Sequence, residues 1–215
     1  MVTPALSDVN SPVGILAAMS GTNTALTPAG RRVLDVASRL FYAEGIHAVG
    51  VEAIAATAGV TKKTLYASFG SKDRLVAAYL AERDERWRRW LTGWVEEHAD
   101  SATDRLLATF DAMGAWIDKE DPRGCGFVNA LAEIPSAEHP GHAVVVEQKR
   151  WLRDYLTELA SAASAAAPED AGKALMLLHE GVAVSAATGC VPDAARRARE
   201  AAATLLGGMG PRRET

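Results

Sequence analysis

The strongest constraint on the fold of this chain is a pair of short helical patterns separated by a tight turn. Residues 51–58 repeat apolar side chains at helical spacing, and Gly59 ends that pattern. Thr61 is a good N-cap for a second helix over residues 62–69, with Leu65 pointing inward. Two helices joined by a short turn containing glycine form a helix-turn-helix, whose second helix can enter the major groove of DNA.

The rest of the chain also carries helical periodicity. A longer amphipathic pattern begins at Thr27-Pro28 and stops at Gly45, and further patterns continue to Gly207-Gly208. No segment alternates apolar and polar residues as a strand would. The sequence therefore predicts an all-α protein, with a mobile N-terminal arm over residues 1–27 where Ser, Thr, Pro, Gly and Asn dominate.

The charge distribution bears directly on a nucleic-acid partner. The whole chain has a formal net charge of -4 and a pI of about 5.8, whereas DNA-binding modules are usually basic. Residues 28–90, however, contain 11 Lys and Arg against 7 Asp and Glu. The acidic average therefore comes from outside the helix-turn-helix region and does not argue against DNA.

Several other classes of protein lack their sequence signals. We find no catalytic motif such as a P-loop, GxSxG or HExxH, and a nucleophilic Cys125 would need a base that the sequence does not reveal. His139 and His142 flank a Pro-Gly pair that predicts a loop, with no third metal ligand nearby. We therefore expect no enzyme activity, metal or cofactor. The absence of a signal peptide or apolar span predicts a cytoplasmic protein without a membrane partner.

Residues 33–80 resemble the TetR/AcrR family of transcriptional regulators. The resemblance rests on Leu40-Phe41 with Gly45, on Ile54-Ala55 with Ala58-Gly59-Val60, on the core TKKTLYASF (61–69), and on the GSKD that follows it (70–73). It implies an N-terminal three-helix DNA-binding domain joined to a larger helical domain for effector binding and dimerisation. The implied boundaries are 28–75 for the first domain, 76–208 for the second, and 209–215 for a flexible tail.

The resemblance also assigns roles to the motif residues. It implies that Lys62, Lys63 and Tyr66 face the major groove of an operator in double-stranded DNA. It implies that Thr61, Thr64 and Lys72 hold the phosphate backbone, in agreement with the cationic character of a helix N-terminus.

Two residues depart from the family pattern. Gly50 stands where a Ser or Thr usually caps the first helix of the motif. Glu52 takes a position that is basic in some members. It either faces solvent or accepts a hydrogen bond from a cytosine N4 amine.

The resemblance implies that the second domain binds an unidentified small-molecule effector and pairs with a second copy. An RGC segment at residues 123–125 resembles one that opens a helix of the effector-binding core, and the last two helical patterns, at 170–187 and 192–206, resemble a dimer pair. For every candidate effector contact the alternative is ordinary core packing, including for His179 as a hydrogen-bonded core histidine. The candidate effector contacts are Phe110, Met113, Trp116, Cys125, Phe127, Trp151, Met176 and His179.

Two functional hypotheses remain open at this point. The first is a homodimeric repressor that a small hydrophobic effector releases from its operator. The alternative is a transcriptional activator, or a constitutive DNA-binding protein without a sensing function. The sequence does not separate them.

Overall fold

The computed structural model describes residues 26–120, 122–134 and 136–208, and within these ranges the chain forms nine helices and no strand. The predicted all-α fold is confirmed. The predicted tail and all but the last two residues of the predicted arm lie outside the described ranges. The helices are α1 (Pro28–Glu44), α2 (Val51–Thr57), α3 (Lys62–Phe69), α4 (Lys72–His98), α5 (Ala102–Glu120), α6 (Gly126–Glu133), α7 (Pro140–Ala162), α8 (Pro168–Thr188) and α9 (Ala194–Gly208).

The described residues form two compact units. The first contains the chain up to Glu85 together with Phe127–Glu147, and the second contains Arg86–Gly126 together with the chain from Gln148 onward. We call them the DNA-binding unit, after the role that the sequence predicts for it, and the helical-core unit. The domain boundary expected after residue 75 stays a prediction.

The DNA-binding unit begins with a capped helix. The Thr27 hydroxyl accepts a hydrogen bond from the Gly30 N–H at 3.1 Å, and Pro28 occupies the first turn of α1. The helix ends at Gly45, whose φ of 95° suits glycine. The segment 127–147 is bound to this region, because a Glu133 carboxylate oxygen accepts from the His47 N–H at 2.7 Å.

One local prediction is wrong in this unit. The Pro-Gly pair after His139 was expected to lie in a loop, but Pro140 is the first residue of α7. Proline is well suited to the first turn of a helix, because its missing N–H would have no partner there in any case. His139 itself precedes the helix and lies 3.5 Å from a carboxylate oxygen of Asp73.

The helical-core unit is held together by residues from α5, α7 and α8 that have no solvent exposure, namely Leu106, Phe110, Leu156 and Leu175. Gly172 lets α7 and α8 approach closely, since a side chain there would collide with Thr157. None of the described helices is long and apolar enough to cross a membrane.

Candidate nucleic-acid interface

Helix α3 is fixed to the rest of the DNA-binding unit by two apolar side chains. Leu65 is fully buried and Phe69 is buried, as the sequence predicts. The turn before α3 uses Gly59 in the left-handed region, with a φ of 64°, and the Val60 N–H donates to the Ala55 carbonyl at 3.0 Å. These contacts set the direction of α3 relative to α2 and leave its opposite face exposed.

The N-terminus of α3 is capped from within the chain. The Thr61 hydroxyl oxygen accepts from the Thr64 N–H at 3.1 Å, and the two hydroxyl oxygens lie 3.0 Å apart. The Leu65 N–H donates to the Thr61 carbonyl at 3.1 Å. Of the four N–H groups that open a helix, this cap satisfies one, and those of Lys62 and Lys63 are among the three that remain for an external acceptor such as a phosphate oxygen.

Lys62 is paired with an acid across the motif. Its Nζ lies 2.8 Å from a carboxylate oxygen of Glu52 in the first turn of α2, and both side chains are exposed. The hydrogen bond and charge of Lys62 lower the pKa of Glu52, and those of Glu52 raise the pKa of Lys62. Glu52 is therefore both exposed and bonded within the motif, so a phosphate must compete with it for Lys62.

The outer face of α3 is formed by Lys63, Tyr66 and Ala67, all exposed. Tyr66 is 44% exposed, so it extends away from the core that Leu65 enters. Ser68 is less available, because its hydroxyl donates to the Thr64 carbonyl at 3.0 Å. The structure therefore places Lys63 and Tyr66 where a base edge or phosphate can reach them.

Lys72 opens α4 directly beyond the motif. Its ammonium lies 6.0 Å from the centroid of the Phe41 ring, within the range of a cation–π contact, and the residue is half-buried. The preceding Ser71 hydroxyl accepts from the Arg74 N–H at 3.1 Å and caps the helix. By contrast, Gly50 provides no side-chain cap for α2.

Three candidate effector residues meet in the helical-core unit. His179 is fully buried, with Nε2 3.0 Å from the Thr109 hydroxyl and Nδ1 3.1 Å from the Met113 sulfur. Its ring centroid lies 4.3 Å from that of Phe110. Burial, with a smaller contribution from the Lys149 charge, lowers the pKa of His179 to about 3. His179 is therefore a neutral, hydrogen-bonded histidine of the core.

The remaining effector candidates occupy separate places. Trp116 packs edge-on against Trp87 with ring centroids 5.4 Å apart, and Trp151 stacks on Tyr155 at 5.3 Å. Met176 is partly buried against the core of the same unit. Phe127 is buried in the DNA-binding unit, on α6.

Cys125 has a charged neighbour that sequence reasoning missed. The Lys149 ammonium lies 3.6 Å from the Cys125 sulfur and 2.7 Å from a Glu180 carboxylate oxygen. Before it, Gly124 has a φ of 83°, and a Cβ added there would lie 3.1 Å from the Cβ of Ala187. These groups come from segments far apart in the chain, so no local motif could have found them.

A groove of about 580 Å³ opens elsewhere in the helical-core unit, between α5, α8 and the start of α9. Asp111, Ile117, Val182 and Val191 are among its lining residues, and none of the candidate effector residues lines it. Across the described ranges, no three His, Cys, Asp or Glu side chains are grouped so as to hold a metal ion.

Comparison with known proteins decides the family. A sequence profile described as "Bacterial regulatory proteins, tetR family" matches residues 33–79. The solved structure of SCO4454, a TetR-family transcriptional regulator from Streptomyces coelicolor, is 32% identical, with a TM-score of 0.77 over 85% of this chain and 96% of that one. The chain belongs to the TetR family of transcriptional regulators. Regulators of this family bind DNA and are not enzymes.

Two further relatives are also described as transcriptional regulators. The HTH-type transcriptional regulator YjdC of Escherichia coli is 26% identical over 152 residues, which span 69% of this chain and 78% of YjdC. A putative TetR regulator from Streptomyces avermitilis has a TM-score of 0.72 and 27% identity, over 85% of this chain and 98% of its own. The relatives therefore support a role in transcriptional regulation.

Proposed function

We propose that this chain is a homodimeric repressor that binds an operator through α3 and is released by a small, largely apolar effector. The observation that carries the DNA contact is the orientation of α3. Leu65 and Phe69 bury one side of the helix, so that Lys63 and Tyr66 stand on the exposed side beside an N-terminus with free N–H groups. In this proposal Lys62 faces the groove with them, and Thr61, Thr64 and Lys72 hold the phosphate backbone around that contact.

An exposed apolar stripe on α8 supports the homodimer. Leu177 and Val184 are 74% and 57% exposed, and a Cβ added at Gly181 between them would meet no atom within 4 Å. Their spacing places the three residues on one face, open to close approach by another helix. Leu175 and Val182, on the same helix, are instead buried within their own unit. A second copy that packs on this stripe gives the two recognition helices that paired half-sites require.

Two buried polar atoms support an effector site in the helical-core unit. Within the described residues, the Trp87 Nε1 donor and the Gln148 Oε1 acceptor have no hydrogen-bond partner, although both side chains are buried. Buried polar groups nearly always have a hydrogen-bond partner. A ligand with one polar group among apolar atoms could therefore supply a hydrogen bond that such an atom lacks. In this proposal Phe110, Met113 and His179, which meet in the core, form part of the wall of that site, and Trp116, Trp151, Met176 and Cys125 of the same unit are further contacts.

The test of DNA recognition is operator binding measured by fluorescence anisotropy on the gene's own upstream region, across a range of salt. Lys63→Ala should weaken binding and reduce the slope of log affinity against log salt by about 1, and Tyr66→Ala should weaken it as well. The matched control is Arg150→Ala, which removes an exposed positive charge from α7. No selective binding by the parent protein, or equal losses in Lys63→Ala and the control, would overturn the proposal.

A further inference from the structure

Two adjacent arginines on α1, Arg31 and Arg32, are both exposed but have different partners. The Arg31 guanidinium lies 2.7 Å from a carboxylate oxygen of Glu82 and 3.5 Å from one of Asp35. The Arg32 Nε donates instead to the Ala58 carbonyl at 3.4 Å. Acids therefore offset the charge of Arg31, whereas the charge of Arg32 has no carboxylate partner among the described residues.

The bond to Ala58 places Arg32 beside the turn of the helix-turn-helix. Ala58 closes α2, and a three-residue turn separates it from α3. Three Cα–Cα steps span at most about 11 Å, so Ala58 lies within that distance of the cap residue Thr61. The start of α1 also packs on α3, since a Cβ added at Gly30 would lie 3.3 Å from the Ser68 hydroxyl oxygen. Arg32 therefore belongs to the end of the unit from which α3 begins.

The guanidinium of Arg32 has donors to spare. A guanidinium carries five N–H donors in one plane, and the Ala58 carbonyl uses only the one on Nε. In the part of the chain that the structure describes, the Nη1 and Nη2 groups have no acceptor. The bond through Nε restrains the plane of the group, and the two Nη groups form a fork that can bind a phosphate through parallel hydrogen bonds.

We propose that Arg32 binds an operator phosphate beside those held at the N-terminus of α3, so that α1 contributes a contact to DNA. This inference rests on the proposed DNA recognition through α3. A strand of B-DNA carries one phosphate per about 3.4 Å of helix axis, so a strand bound at Thr61 also brings phosphates near Ala58. Such a contact fixes affinity and register and carries no base selectivity.

A purely structural role for Arg32 predicts a different result. If Arg32 only ties α1 to the end of α2, its loss lowers the stability of the unit and leaves the salt dependence of DNA binding unchanged. If Arg32 binds a phosphate, it releases a counterion and contributes about 0.9 to the slope of log affinity against log salt. The salt dependence therefore separates the two roles.

The test compares the full-length protein with Arg32→Gln by fluorescence anisotropy on the gene's own upstream region. The glutamine keeps a donor for the Ala58 carbonyl but removes the charge, so the slope should fall by about 0.9. The loss of affinity should then shrink about 3.5-fold between about 50 and 200 mM salt, with selectivity over a scrambled duplex unchanged. Arg39→Gln is the matched control, because it removes an exposed charge from the same face of α1, about 10 Å further along, and should keep the slope.

A second measurement locates the contact on the DNA. Among operators with a single neutral methylphosphonate, one should weaken binding by the unaltered protein and leave binding by Arg32→Gln unchanged. The absence of such a position, an unchanged slope in Arg32→Gln or an equal decrease in Arg39→Gln overturns the contact, while Lys63→Ala still tests the proposed function. If the unaltered protein binds no DNA selectively, the proposed function fails and the Arg32 contact fails with it.

Discussion

In the DNA-binding unit the polar groups proposed for DNA contact are exposed or half-buried, whereas in the helical-core unit His179 and Thr109 are fully buried and bonded to each other. Exposed groups such as Lys63 are available to a partner but contribute little to the fold. Buried polar groups have partners within the core, and removing one partner lowers the stability of the fold because the other is left without a hydrogen bond. The first unit therefore tolerates changes that alter binding, and the second should respond chiefly through its stability.

The largest expected effect is in the buried core. Phe110→Ala should lower the free energy of unfolding by about 3–5 kcal/mol, because it leaves a cavity beside His179. The five tryptophans all lie in the helical-core unit, so urea unfolding followed by tryptophan fluorescence reports on that unit. Phe110→Leu is the matched control, and its free energy of unfolding should fall much less. A loss below about 1 kcal/mol for the alanine variant would mean that this core is not tightly packed.

A pH-dependent effect is expected next. The pKa of buried His179 is about 3, well below its usual 6.5. As the pH falls below 6.5, His179 therefore binds a proton in the unfolded chain but stays neutral in the folded chain. The free energy of unfolding should therefore drop by about 2 kcal/mol from this group between pH 7 and pH 5.

The measurement compares urea unfolding of the unaltered protein and His179→Gln at both pH values. The variant has a lower free energy of unfolding at pH 7, because it loses the packing of the imidazole ring. Between pH 7 and pH 5, however, its free energy of unfolding should fall by about 2 kcal/mol less than that of the unaltered protein. His47→Gln removes an exposed histidine and is the control. Equal pH dependence in the unaltered protein and His179→Gln would show that His179 does not carry the effect.

A smaller effect is expected at the N-terminus of α3. Thr61→Ala removes the hydroxyl that accepts from the Thr64 N–H, at a cost of about 1 kcal/mol. Hydrogen exchange of a peptide covering residues 61–69 should become faster, while Thr61→Ser keeps the cap and the protection. Unchanged exchange in the alanine variant would show that the cap contributes nothing to the stability of α3.

The smallest effect should come from the exposed Glu52–Lys62 pair. Glu52→Gln frees the Lys62 ammonium for phosphate, so operator binding should tighten roughly two- to threefold and become more dependent on salt. Glu44→Gln, an exposed acid at the end of α1, removes the same charge outside the motif. Equal gains in both variants would attribute the effect to net charge and not to the pair.

The sequence predicted the features that depend on near neighbours. The Thr61 cap acts over three residues, the Gly59 turn is local, and the burial of Leu65 follows helical spacing. These are the interactions for which spacing along the chain determines spacing in the fold. The all-α class and the orientation of α3 followed from them.

What the sequence missed depends on contacts between distant segments. The hydrogen bond between His179 and Thr109 spans 70 residues, and the contact between Lys149 and Cys125 spans 24. The Glu52–Lys62 pair spans only 10 residues, yet it also depends on how two helices cross. Helical periodicity gives the inward face of each helix but not the residue that lies opposite, so such pairs need the packed structure.

The backbone directly before Cys125 depends on a glycine at position 124. Any other residue at this position would be strained by the positive φ and would press against Ala187. The location of the Cys125 sulfur thus depends on a neighbour that has no side chain. A random screen for unstable variants should therefore recover substitutions at Gly124, even though this residue has no side chain to contact a ligand.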